Sequence, residues 1–164
     1  MLRNAKSQSY ALQLSACLFF GGLFFFMSEA RKITLWKEVE ATREGLEGKQ
    51  TAVGLTIRRH SIFVALPCVK ALFKIVLLAY DGKPYLAPVL DVGPWNEDDE
   101  KYVFGDLRPL AEHGIGKYRK PTNKAGIDLS DGLIRQMGID PKAWGKRDVL
   151  WRLIEPQEIH LLPA

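Results

Sequence analysis

The feature that most constrains the fold is a series of short apolar segments separated by turn residues. Asp81-Gly82-Lys83-Pro84 predicts a tight hairpin, because Gly tolerates positive φ and Asp can hydrogen-bond its own backbone. Closing short strands into a small barrel leaves little sheet edge exposed. Five segments rich in Val, Ile, Leu, Phe and Tyr are predicted strands: Thr51 to Ile57, Ile62 to Leu66, Leu72 to Tyr80, Tyr85 to Val92 and Asp148 to Ile154.

Helical signals occur in two places. Ser130 to Met137 predicts a helix, since Ser130 can cap its free N–H groups, Asp131 suits its positive end and Gly138 can end it. Ile33 to Gly48 carries apolar residues at roughly helical spacing among charges. That segment predicts a short amphipathic helix or a linker.

The first thirty residues differ in character from the rest of the chain. Arg3 and Lys6 precede an uncharged apolar stretch from Ala11 to Met27, and Ser28-Glu29-Ala30 offers small residues to a signal peptidase. This pattern predicts a signal peptide. The stretch has about 17 residues, near the lower limit for a membrane span, so an uncleaved N-terminal anchor is the alternative. We expect an exported protein of the periplasm or cell envelope that contacts the membrane only through this segment.

Chain length and charge limit the remaining possibilities. A length of 164 residues suits one folded domain. We divide the chain into the N-terminal segment (1–30), a helix or linker (31–50), a barrel (51–155) and a C-terminal tail (156–164). The formal net charge of +4 is mildly basic and favours an anionic polymer such as peptidoglycan. Nucleic acid is not indicated, because the basic residues are dispersed and no motif accompanies them. A monomer is expected.

No cofactor and no metal site is predicted. The three histidines, His60, His113 and His160, are scattered, and no pair has ligand spacing. Gly114-Ile115-Gly116 lacks the flanking strand and helix of a phosphate-binding loop. The sequence also contains no Gly-x-Ser-x-Gly nucleophile elbow.

Two short turns each place one carboxylate at the end of an apolar run: Asp91-Val92-Gly93-Pro94-Trp95 and Gly126-Ile127-Asp128-Leu129-Ser130. They are followed by Met137-Gly138 and then by Gly145 before Val149-Leu150-Trp151. This succession resembles the double-psi β-barrel of rare lipoprotein A, and expansins and some lytic transglycosylases have similar domains. The likeness covers roughly Thr51 to Ile154. It implies a mainly β protein, a small six-stranded double-psi β-barrel with one or two short helices.

The resemblance also implies chemistry on the glycan strands of peptidoglycan. In such lytic transglycosylases an Asp protonates the glycosidic oxygen, and the 6-hydroxyl of muramic acid closes a 1,6-anhydro ring. Asp91 is the expected acid, because Gly93 and Pro94 would turn the backbone away and leave its side chain facing a groove. Capping of its own turn is the alternative. Asp128 is the expected helper, since backbone N–H groups at the following helix start would lower its pKa.

The segment from Asn96 to Lys124 separates the two motifs, and a loop of this length is commonly functional or mobile. Flat aromatic faces beside a groove could stack on sugar rings, although aromatic residues beside turns are equally often core residues. The expected substrate-binding residues are Trp95, Tyr102, Tyr118, Asn123 and His60.

The chain departs from the rare lipoprotein A pattern in two places. That family usually carries a histidine just before a Leu-Pro pair, whereas Leu66-Pro67 follows Val64-Ala65 here. It also carries an early glutamate, for which Glu44 and Glu47 are candidates without motif support. Two other hypotheses therefore stay open: a non-catalytic, expansin-like module that binds glycan or loosens the wall, and a structural envelope protein.

Overall fold

The computed structural model describes residues 36–114, 116–117 and 120–161, within the compact unit that begins at Ile33. The predicted N-terminal segment lies outside the described residues. Six strands form a closed barrel in the order β1-β5-β2-β4-β3-β6. They are β1 (Lys37–Arg43), β2 (Val64–Leu66), β3 (Ile75–Tyr80), β4 (Lys83–Val92), β5 (Ile127–Leu129) and β6 (Arg147–Ile154). The mainly β, six-stranded barrel is thus confirmed.

The strand pairing repeats one arrangement twice. β4 lies between the consecutive strands β2 and β3, parallel to the first and antiparallel to the second. β1 lies in the same way between β5 and β6. Each inserted strand makes a ψ-shaped motif, and the two motifs join through the antiparallel pairs β2/β5 and β3/β6. The barrel is therefore of the double-psi type.

The helices are short. They are α1 (Glu100–Val103) and α2 (Asp131–Gln136), with 3₁₀ segments at Val69–Ala71, Leu110–His113, Pro141–Ala143 and Pro156–Leu161. The predicted helix is confirmed as α2: the Ser130 side chain accepts the N–H of Leu133, and Gly138 follows with a φ of 79°. Within the described ranges, no helix has both the length and the apolar character needed to cross a bilayer.

The predicted hairpin is also confirmed. Tyr80 pairs with Lys83, so Asp81 and Gly82 form a two-residue turn between β3 and β4. Their φ angles are 50° and 71°. A turn with positive φ at both central residues matches the twist of the flanking strands, which explains the Asp-Gly pair.

Three predictions of local structure are wrong. Ile33 to Gly48 contains β1 rather than a helix, because Val39 and Ala41 are buried at the two-residue spacing of a strand. Thr51 to Ile57 is not a strand and makes only an isolated bridge between Gln50 and Thr56. The segment read as a turn around Asp128 contains β5, which has only three residues. The barrel consequently begins at β1 and not at residue 51.

Tyr102 belongs to the core. Its side chain is 1% exposed, and its hydroxyl lies 3.0 Å from the Gly126 carbonyl oxygen, to which it donates. The indole N–H of Trp151 donates to the same hydroxyl at 2.8 Å, and the two rings meet edge to face. The predicted sugar-stacking role of Tyr102 is therefore wrong, because no face of its ring is accessible.

Candidate functional site

The barrel brings the two predicted aspartates to one face of the sheet. Ala65 on β2 is the register partner of Asp91 on β4 and of Asp128 on β5, and Asp128 is in turn the partner of Thr42 on β1. Register partners on neighbouring strands point to the same side of a sheet. Both neighbours of Asp128 on β5 are buried in the core, so this side faces outward. Two strand spacings separate the Asp91 and Asp128 Cα atoms by about 10 Å.

Asp128 is closely surrounded. Its Oδ1 accepts a hydrogen bond from the Thr42 hydroxyl, and its Oδ2 lies 3.7 Å from where a Cβ on Gly93 would stand. Burial raises the pKa of Asp128 to about 6; hydrogen bonds from Thr42 and Glu44 act against this rise, and the charge of Asp91 adds to it. The predicted lowering of its pKa by a helix start is wrong, since Ser130 caps α2 and burial dominates.

Glu44 completes the site, which we call the carboxylate cluster: Glu44, Asp91 and Asp128. Its backbone N–H donates to the Leu129 carbonyl at 2.9 Å, which holds it beside β5, and its side chain hydrogen-bonds to Asp128. Burial, followed by the negative charges of Asp128 and Asp91, raises the pKa of Glu44 to about 8. We therefore expect the Glu44–Asp128 pair to keep one proton at neutral pH, with Glu44 as the donor.

Asp91 is engaged by main-chain groups. Its Oδ1 accepts the backbone N–H groups of Ala52 and Val92, both at 2.9 Å. Asp91 thus caps its own turn through Val92, as the alternative prediction states, and also binds the loop between β1 and β2 through Ala52. Asp91 also acts through its negative charge, which raises the pKa of Glu44 and of Asp128. Asp91 Oδ1 is therefore occupied by main-chain donors, whereas the raised pKa of Glu44 makes that side chain the better proton donor of the cluster.

Trp95 and Asn123 lie at the edge of the carboxylate cluster. The Trp95 indole N–H donates to Asn123 Oδ1 at 2.7 Å, and Asn123 Nδ2 donates a long hydrogen bond of 3.5 Å to Thr42 Oγ1. A hydrogen-bonded path thus runs from Trp95 through Asn123 and Thr42 to Asp128. Trp95 is 39% exposed, so an aromatic surface adjoins the carboxylates.

The other two predicted binding residues are His60 and Tyr118. His60 is exposed and lines a separate cavity with Arg58 and Arg59; within the described ranges, no contact links it to the three carboxylates. Tyr118 lies outside the described residues, so its role stays a prediction. The described part of the chain holds no group of three or more His, Cys, Asp or Glu side chains placed to bind a metal ion.

The raised pKa values predict how stability depends on pH. The folded-state values of Glu44 and Asp128 lie above the ordinary 4.5 and 3.8, so folding favours the protonated forms. This stabilisation is present in acid and is lost as the pH rises through about 6 and about 8. We expect the free energy of unfolding in urea to fall by on the order of 5 kcal/mol between about pH 5 and about pH 9. Glu44→Gln should show a smaller fall, and an equal fall in both proteins would contradict the assignment.

Comparisons with known proteins give one family model and several solved structures. A family described as a domain of unknown function (DUF8814) matches residues 30–108. No curated protein sequence matches the chain at a significant level. The Streptomyces papain inhibitor is similar at 16% identity and a TM-score of 0.47, over 74% of this chain and 96% of the inhibitor.

Two structures of Clavibacter michiganensis expansin are also similar. The apo form has 15% identity and a TM-score of 0.45, and a point mutant in complex with cellohexaose has 13% and 0.46. Each covers 79% of this chain and 52% of the expansin chain, so this chain spans about half of that protein. The fold and site define a small double-psi barrel with a partly buried carboxylate cluster. Its likeness to rare lipoprotein A in particular stays a prediction.

Proposed function

We propose that this protein is an exported enzyme that cleaves peptidoglycan glycan strands by lytic transglycosylase chemistry, with Glu44 as the general acid in place of Asp91. The observation that carries the proposal is the placement of the half-buried Glu44 beside Asp128, with Asp91 on the same face of the barrel, which raises the pKa of both Glu44 and Asp128. Cleavage of a glycosidic bond needs a proton donor that is still protonated at the working pH, beside a group that can take up a proton.

The proposed reaction moves one proton across the substrate. Glu44 gives its proton to the glycosidic oxygen while the bond from that oxygen to C1 of muramic acid breaks, and the bonding electrons leave with the oxygen. The Asp128 carboxylate takes the proton of the 6-hydroxyl, whose oxygen then bonds to C1. The hydrogen bond between the two side chains returns the proton to Glu44, so no water is consumed.

The neighbouring residues support this chemistry. Thr42 donates to Asp128 and holds its carboxylate in place. The negative charges of Asp91 and Asp128 stabilise the positive charge that develops at C1. Trp95, whose indole is oriented by Asn123, offers a surface on which a neighbouring sugar ring can stack.

The product tests this function. We expect the full chain, incubated with purified sacculi, to release soluble 1,6-anhydro muropeptides that mass spectrometry identifies by the loss of one water relative to the reducing-end product. Release should decline when the pH rises past about 8, where Glu44 loses its proton. Products with ordinary reducing ends would contradict the transglycosylase step, and no product at any pH from mildly acid to neutral would overturn the enzyme.

A non-catalytic glycan-binding module is the second candidate. It is favoured by the exposed Trp95 with its fixed indole, since such a surface binds sugar without any reaction. On that alternative the protein pellets with sacculi and releases nothing, and Trp95→Ala abolishes pelleting. The control is Tyr85→Ala, which removes a partly buried aromatic side chain on β4 and should leave pelleting unchanged.

A further inference from the structure

The loop between β1 and β2 carries a second feature that the proposed reaction does not use. This loop forms an open cavity of about 670 Å³ whose charged lining is Arg58, Arg59, His60 and Glu47. Two arginines and one glutamate therefore line it. The cavity therefore carries an excess of positive charge. Its residues belong to the same loop as Glu44 of the carboxylate cluster.

The backbone that presents these arginines is firmly held. Arg58 N–H donates to Ser61 Oγ and Ser61 N–H donates to the Arg58 carbonyl, both at 2.9 Å. The Arg135 side chain donates to the Arg59 carbonyl. The Ser61 carbonyl packs on α2, where a Cβ added to Gly132 would lie only 2.3 Å away. The two arginines therefore project from a rigid turn, and little conformational freedom is lost when a ligand binds.

The two guanidinium groups differ from the others in the described part of the chain. Neither makes a hydrogen bond or an ion pair with any described residue. Each of the remaining described arginines has such a partner: Arg43, Arg108, Arg135, Arg147 and Arg152. Adjacent arginines that have no partner among the described residues offer planar donors of the kind that carboxylates accept in pairs of hydrogen bonds.

The same loop also reaches the carboxylate cluster. Glu44 opens it beside Asp128, Ala52 N–H binds Asp91, and Glu47 already lines the basic cavity. From this continuity we infer that Arg58 and Arg59 form a subsite for carboxylate groups borne by the glycan strand, such as those of stem peptides. That the anions are carboxylates of this polymer rests on the proposed function, whereas the need for an anionic group rests on the arginines alone.

Co-sedimentation with sacculi tests the subsite. The full-length R58Q/R59Q variant should bind sacculi about tenfold or more weakly than the wild type, because hydrogen bonds to charged groups are lost. The matched control, K83Q/K142Q, removes two positive charges from exposed positions elsewhere on the barrel and should bind within about twofold of the wild type. R58K/R59K keeps the charges without the paired geometry and should fall between them. Equal binding by the wild type and R58Q/R59Q would overturn the inference.

A second arm identifies the group that is recognised. Sacculi whose carboxylates have been amidated with carbodiimide and ammonia should bind the wild type as weakly as R58Q/R59Q binds untreated sacculi. Undiminished binding to amidated sacculi would overturn the carboxylate assignment and leave another polyanion, such as wall-bound phosphate or nucleic acid, as the ligand.

The two proposals fail separately. If no anhydro product forms but arginine-dependent binding to untreated sacculi remains, the proposed enzymatic activity is refuted and the proposed subsite is supported. If product forms and R58Q/R59Q leaves both binding and the concentration of sacculi needed for half-maximal rate unchanged, the enzyme stands and the subsite is lost.

Discussion

Replacing Glu44 by glutamine is expected to lower the rate of anhydro-muropeptide release by about 10²–10⁴-fold, the usual contribution of a general acid. Glutamine keeps the size of the side chain and can still donate a hydrogen bond to Asp128, but it has no proton to transfer. Binding to sacculi should stay within about twofold of the wild type, because the change alters no charged contact to the polymer. The measurement is the initial rate of release at saturating sacculi near neutral pH.

Two control variants separate Glu44 from its neighbours. Glu155→Gln changes an exposed glutamate that follows β6, outside both the carboxylate cluster and the basic cavity, and should keep the wild-type rate. Asp91→Asn retains an Oδ1 that can accept the N–H groups of Ala52 and Val92, so it should lose only the part of activity that depends on its charge. Nearly full activity of Glu44→Gln together with an inactive Asp91→Asn would return the role of acid to Asp91.

Adding a methyl group to Gly132 is expected to destabilise the protein by about 3 kcal/mol or more. The new Cβ would lie 2.3 Å from the Ser61 carbonyl oxygen and 2.7 Å from the His60 carbonyl carbon. Both are main-chain atoms, so no side-chain rotation can relieve the clash. Either α2 or the turn at His60 must move, and urea unfolding of Gly132→Ala at neutral pH measures the cost.

Gln136→Ala is the matched control for this prediction. It lies in the same helix, is exposed and also receives alanine, so its free energy of unfolding should stay within about 0.5 kcal/mol of the wild type. A Gly132→Ala variant as stable as Gln136→Ala would show that α2 does not pack closely against the loop between β1 and β2.

The parts of the fold that the sequence predicts correctly carry strong local signals. The hairpin between β3 and β4 depends on Asp81 and Gly82, and α2 depends on Ser130 and Gly138, all of which act within a few residues of their position. The approach of the two aspartate turns has a different basis. The order of the two motifs resembles that of a known barrel family, and this resemblance predicts that the aspartates lie on one domain. In the structure they approach each other because both are register partners of Ala65.

The sequence leaves Glu44 as one of two candidates for an early glutamate, because no local pattern places it at the site. β1 has only Val39 and Ala41 as buried apolar residues between charged neighbours, and Trp36 with Val39 imitates helical spacing. Its strand conformation is fixed by pairing with β5 and β6, which lie more than eighty residues along the chain. The two-residue spacing of Val39 and Ala41 was the available signal, and it would have placed Glu44 at a strand end.

The local sequence assigns Tyr102 to the site, although it belongs to the core. An aromatic residue in a long polar segment suggests an exposed binding surface, but the hydroxyl of Tyr102 is matched to Trp151 and Gly126 within the core. That match depends on two distant segments meeting, and no neighbouring residue indicates it.

The central claim is that Glu44 and Asp128 keep one proton between them at neutral pH, and carboxyl-carbon NMR measures this directly. Titration of the wild type from about pH 3 to about pH 10 should show the Glu44 and Asp128 carboxyl signals changing in two steps, the last proton leaving above pH 7 with an apparent pKa near the value of about 8 given by the structure. Asp128→Asn should lower the titration midpoint of Glu44, since Asp128 is the negative charge that raises the pKa of Glu44 most. Both carboxyls fully ionised by about pH 5 would contradict the claim, and with it the proposed acid.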